Sequence, residues 1–94
     1  MANVLRTRDV KQWLSDLKDR RDAGRITASI DNLEFALGDI EPVGEGVSEL
    51  RLHFGPGYRV YFFTEKAAVF VLLCGTKRTQ DRDIRKAKSM KKQE

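Results

Sequence analysis

Apolar residues recur along this chain with two different periods. Val10, Trp13, Leu14 and Leu17 stand at the spacing of one helix face, and Ile26, Ile30, Leu33 and Leu37 form a second such stripe. The first stripe predicts a helix from about residue 8 to 21, with Thr7 as N-cap and Asp9 in the first turn, stopping near Gly24. The second predicts a helix ended by Gly38, so the pair makes a helical hairpin. Ahead of them "ANVLRT" suits a short strand. After them "DIEPVGEG" (39–46) reads as a loop, because Pro42, Gly44 and Gly46 interrupt either regular structure.

The period then becomes two. Leu50, Leu52 and Phe54 alternate with Glu49, Arg51 and His53, and "YRVYFF" follows a Gly-Pro-Gly turn. Residues 67–74 are apolar throughout, as a strand covered on both faces would be. From Gln80 to about Lys92 only Ile84, Ala87 and a residue at 90 or 91 fit an apolar stripe, which predicts a basic, loosely held terminal helix. The order predicts an α+β layer fold in one domain, 1–94: a short strand, a two-helix hairpin on an antiparallel sheet, and a basic C-terminal helix.

Burial sets the expected register of the hairpin. A three-residue loop, Gly55–Gly57, pairs Phe54 with Tyr58, Leu52 with Val60 and Leu50 with Phe62, which keeps one face apolar. The other face then carries Arg51 beside Tyr61, His53 beside Arg59 and Glu49 beside Phe63. Like charges opposed on a sheet are mildly destabilising, so a cationic cluster without acidic partners on its own face invites an external anion or an aromatic neighbour.

Charge sharpens this picture. The chain has 94 residues and a net charge of +4. Residues 31–49 carry six acids and no base, whereas residues 75–94 carry eight bases against three acids. The longest apolar run is too short to span a bilayer, and "MANVLRTRDV" lacks the apolar core of a secretory signal, so a cytoplasmic protein without membrane contact is expected. Cys74, the single cysteine, lies in the apolar run and reads as an inert buried thiol. One histidine, one cysteine and no acidic cluster of ligand-like spacing give no metal site, and no cofactor is expected.

The residue types suit cleavage of RNA by its own 2′-hydroxyl, which needs charge stabilisation on phosphate oxygens and proton transfer. Arg51 and Arg59 offer guanidinium forks, His53 an acid or base, and Lys77 or Arg78 a third positive group. Tyr58 or Tyr61 would stack on a splayed base, and the basic tail, with Arg82, Arg85 and Lys86, would track the backbone. The same hairpin and tail, "GEGVSELRLHFGPGYRVYF" and "LLCGTKRTQDRDIRKAK", resemble the RelE/ParE superfamily of toxin–antitoxin modules, and more narrowly its HigB-like, phage-associated addiction module killer group. That resemblance implies a RelE-like fold and a co-expressed antitoxin, a small helix-turn-helix protein, with a toxin–antitoxin heterotetramer as one assembly. It implies a metal-independent mRNA endonuclease acting on the ribosome, with Arg51, Arg59 and Lys77 or Arg78 in the basic positions. A ParE-like gyrase inhibitor and an inactive antitoxin-binding remnant are the alternatives. Where RelE-type enzymes carry a tyrosine or histidine near the start of the C-terminal segment, this chain has Gln80, Asp81 and Asp83.

Overall fold

The computed structural model describes residues 3–93. Its first half runs β1 (Asn3–Arg6), α1 (Arg8–Asp16), α2 (Arg20–Asp31) and a 3₁₀ turn (Asn32–Phe35). Its second half runs β2 (Asp39–Gly44), β3 (Val47–Leu52), β4 (Tyr58–Glu65), β5 (Ala68–Thr76), a 3₁₀ turn (Lys77–Thr79) and α3 (Gln80–Lys92). The fold is α+β, with one five-stranded sheet in the order β1-β5-β4-β3-β2. β1 runs parallel to β5 and the remaining neighbours are antiparallel. Among the described residues no helix is long and apolar enough to cross a membrane.

Two apolar layers explain the unbroken run of β5. On one side Val10, Ile26, Ile30 and Leu33 pack on Leu50, Leu52, Val60, Val71 and Cys74. On the other, Ala87 of α3, with Ile84 and Met90 beside it, packs on Val47, Tyr61, Phe63, Leu72 and Leu73. A strand between two such layers has no face left for water, so alternation disappears. Burial pushes the Cys74 thiol up to about 12, which fits the inert reading.

Three local expectations are corrected. The first helix ends at Asp16 rather than near 21, because Leu17 turns extended and Asp19 caps a new helix by accepting from the Asp22 N–H at 3.0 Å. Arg20 Nη1 donates to the carbonyls of Leu14, Ser15 and Leu17, so the last turn of α1 is satisfied from the next helix. Gly24 therefore lies inside α2, not between helices. The expected loop 39–46 is instead β2 and a two-residue turn, in which Glu45 (φ 54°) and Gly46 (φ 80°) both adopt positive φ, as a type I′ hairpin requires. Pro42 is tolerated because β2 is an edge strand, irregular between Pro42 and Gly44. Finally, α3 is not loosely held: Ala87 is fully buried, Lys86 pairs with Asp9, and Lys88 and Lys92 pair with Glu45.

The β3–β4 register is shifted by two residues from that expected. Leu52 pairs with Tyr58, Leu50 with Val60 and Ser48 with Phe62, leaving His53–Gly57 as the connection. A shift of two preserves the faces, since the side-chain period is two. Tyr58 is held by its hydroxyl donating to Asp22 Oδ2 at 2.8 Å and by edge contact with Trp13, 5.8 Å between ring centroids. Phe54 leaves the ladder to lie under the Arg25 guanidinium, 3.7 Å from the ring centroid.

Candidate functional site

The register places Asp39, Arg51, Arg59 and Gly75 in one row across β2, β3, β4 and β5. Arg51 and Arg59 thus share a face as expected, but they stand directly opposite each other, not beside Tyr61 and His53. The next row brings Glu41, Glu49 and Tyr61 together. Here the expectation of a cationic cluster without acidic partners fails. Glu49 is fully buried between the two arginines: Oε1 accepts from Arg51 Nε at 2.9 Å, and Oε2 lies 3.9 Å from Arg59 Nε. Gln80, the first residue of α3, donates from Nε2 to Glu49 Oε2 at 2.7 Å. One carboxylate therefore offsets the repulsion between opposed guanidinium groups and ties α3 to the sheet.

The two arginines differ in access. Arg59 is 7% exposed; its Nη1 donates to the Tyr58 carbonyl at 3.2 Å, and its Nε has no hydrogen-bond partner. The Arg51 side chain is 37% exposed, and Glu49, with Glu41 and Asp39 adding, holds it more firmly protonated than usual.

The start of α3 is brought down onto the sheet at Gly75. A Cβ there would collide with the Asp83 carboxylate and lie 3.1 Å from Thr79 Oγ1. Thr79 stands at the N-cap position, yet its hydroxyl donates to Asp83 Oδ2 at 2.6 Å and caps no N–H of α3. The 3₁₀ turn and α3 form one continuous helical stretch: the Gln80 N–H donates to the Lys77 carbonyl, and a Thr76–Thr79 capping box closes its head. In front of it opens a polar cleft of about 380 Å³, lined by Lys77, Arg78, Thr79, Gln80, Asp81, Arg82 and Arg85. Lys77, Arg78 and Arg85 carry no ion pair among the described residues, and Arg82 reaches Asp83 at 3.6 Å. Gln80 joins this cleft to Glu49 and the arginine row, and the Lys77 N–H donates to the Gly57 carbonyl at 2.7 Å, fixing the cleft to the hairpin.

Of the residues singled out from the sequence, Lys77, Arg78, Arg82 and Arg85 meet in the cleft, and Arg59 and Arg51 lie in the adjoining row. The others do not join them. His53 projects from the hairpin connection, its ring 70% exposed and its Nε2 2.7 Å from Asp39 Oδ2. Tyr58 is 4% exposed on the opposite side of the sheet, and burial, with its bond to Asp22, pushes its hydroxyl up to about 12. Tyr61 is fully buried under α3; burial and the nearby carboxylates of Glu49 and Asp83 push its hydroxyl far above the usual tyrosine range, although it makes no hydrogen bond of good geometry. Neither ring has a free face for a base. Lys86 pairs with Asp9 of α1. The residue missed was Glu49, and its signal was its position two before Arg51, hence on the same face of one strand.

Chemically the cleft gathers four basic side chains around one carboxylate, Asp81, a set suited to phosphate groups. Among the described residues no group of histidine, cysteine and carboxylate side chains has the spacing to hold a metal ion.

No protein-family profile matches the chain. No solved structure matches it either. A protein of Haemophilus influenzae, described only as uncharacterized, is 47% identical over 78 residues, which span 81% of this chain and 79% of that protein. Identity at that level over most of both chains is shared descent: the chain belongs to the same family as the Haemophilus influenzae protein.

Proposed function

We propose that the chain is the toxin of a type II toxin–antitoxin module of the RelE/ParE kind, a HigB-like endoribonuclease that cleaves mRNA on the ribosome in the cytoplasm. The observation that carries the reading is the basic cleft at the start of α3, continuous through Gln80 with the Arg51–Arg59 row. In this reading Lys77, Arg78, Arg82 and Arg85 hold successive phosphates and Arg59 adds positive potential from behind the cleft. Asp81 is the carboxylate within reach of a 2′-hydroxyl, and basic side chains stabilise the developing charge without a metal. A small helix-turn-helix antitoxin, in a heterotetramer or a simpler complex, would quench the same charges. Mapping mRNA ends after induction tests this. New ends should appear with the native chain and vanish with Arg78→Ala/Arg85→Ala; intact transcripts during growth arrest exclude the nuclease.

One observation favours a second reading. No histidine or tyrosine lines the cleft, since His53 lies on the hairpin and Tyr58 and Tyr61 are buried. A fold that binds without cleaving fits a ParE-like gyrase inhibitor, because fold alone does not fix activity. A supercoiling assay with purified gyrase separates the two. Normal growth under strong induction would instead mark an inactive, antitoxin-binding protein.

A further inference from the structure

The 3₁₀ turn after α2 ends in a segment that displays apolar side chains instead of burying them. Phe35 is 58% exposed and Leu37 is 56% exposed. Between them Ala36 sits at φ 54°, a left-handed conformation that a residue with a Cβ rarely adopts, with its N–H donating to the Leu33 carbonyl at 3.0 Å. The backbone is thus held in a strained turn that sends both side chains outward. Beside Leu37 lies a notch of about 120 Å³, walled by Leu37 and Gly38 on one side and by Leu50 and Leu52 on the other.

The surroundings are acidic. No lysine or arginine occurs from residue 26 to residue 50. Glu34 carries no ion pair among the described residues, and Asp39 lines the notch. The one arginine that reaches the notch, Arg51, is already bound by Glu49, and the His53 ring is placed on Asp39. None of the residues lining the notch lines the basic cleft. A phosphate backbone is repelled by such a rim, whereas a basic protein segment carrying an aliphatic side chain meets both its charge and its apolar floor.

We infer that Glu34–Asp39 is a docking surface for a partner protein, which enters as a basic amphipathic segment with one apolar side chain in the notch beside Leu37. The surface is separate from the basic cleft and does not depend on what the cleft binds.

The test uses the whole chain, isotopically labelled, titrated with a synthetic helical peptide made of leucine on one face and lysine on the others. Because the protein carries a net charge of +4, general attraction to this peptide is unfavourable and binding must be local. Amide shifts should cluster at residues 34–39 and 50–52. Phe35→Ser/Leu37→Ser and, separately, Glu34→Lys should each weaken binding by about tenfold or more. Phe35 and Leu37 are exposed and Glu34 is half-buried, so dispersed amide spectra should persist and certify folding. Shifts centred elsewhere, no binding, or unchanged affinity in both variants overturns the inference. A concentration-dependent dimer of the native chain that the Phe35→Ser/Leu37→Ser variant abolishes would overturn it too, since the occupant would then be a second copy.

Discussion

Replacing Glu49 by glutamine keeps the shape of the side chain and removes its charge. Glu49 is fully buried and Arg59 is 7% exposed, so the variant leaves a buried guanidinium without its counter-charge. Breaking a buried pair from one side costs about 3–5 kcal/mol. Three features reduce that here. The Arg59 contact is 3.9 Å, the Arg51 side chain is 37% exposed so that solvent screens its pair, and a glutamine oxygen still accepts from Gln80. Roughly 2–4 kcal/mol of destabilisation remains. For a domain of this size each kcal/mol moves Tm by about 4–8 °C, so a fall of at least roughly 8 °C is expected. Thermal and urea unfolding of Glu49→Gln measure it, and Arg59→Met in the same background should return part of the loss, because the double variant holds no orphaned charge. A Glu49→Gln protein within about 0.5 kcal/mol of the native one, the range of an ordinary surface change, would refute the claim that one carboxylate balances the arginine row.

Other substitutions probe other elements. Gly24→Ala should stabilise by about 0.5–1 kcal/mol, since Gly24 is inside α2 and an added Cβ meets nothing within 4 Å; a destabilised variant in urea melts would contradict the helix assignment. Gly75→Ala should push the Asp83 carboxylate and the start of α3 off the sheet, read as faster amide exchange across residues 80–87 than elsewhere; uniform exchange would contradict it. Alkaline pH should destabilise the fold. Cys74, ordinarily near 9.0, is pushed up to about 12, and Tyr58, ordinarily near 10.0, likewise to about 12. The folded chain therefore holds these protons where the unfolded chain has lost them. Stability is complete below about pH 9 and declines as pH rises from there to about 12. Cys74→Ala should flatten the part of the urea-midpoint slope that begins near pH 9.0, and an unaltered slope would refute its burial.

The elements that could be read from the sequence were those whose cause is local. Thr7 caps α1 because a hydroxyl three residues before an N–H is a short-range arrangement, and the run ending in Cys74 signals a strand covered twice whatever covers it. The helix break at Leu17 was hidden because its satisfaction comes from Arg20, whose three carbonyl contacts depend on how α2 leaves α1. β2 was hidden because Pro42 and its glycines break a central strand but not an edge, and edge position is a property of the whole sheet. The pairing of Arg51 with Arg59 shifted because Tyr58 is drawn to Asp22 and Trp13, contacts that no hairpin rule contains. The same shift moves Glu49 from opposite Phe63 to opposite Tyr61, in the row next to both arginines. The basic cleft was foreseeable as a composition of the tail, but its focus at the start of α3 depends on Gly75 admitting Asp83.

The irregular outer strand has a bearing on solubility. Pro42 has no N–H to offer, the pairing slips between Pro42 and Gly44, and Glu41 and Glu45 project from the same short ribbon. The β2 margin of a second copy arriving there finds an interrupted ladder and another Glu41, so the sheet resists growth into fibrils from its β2 side.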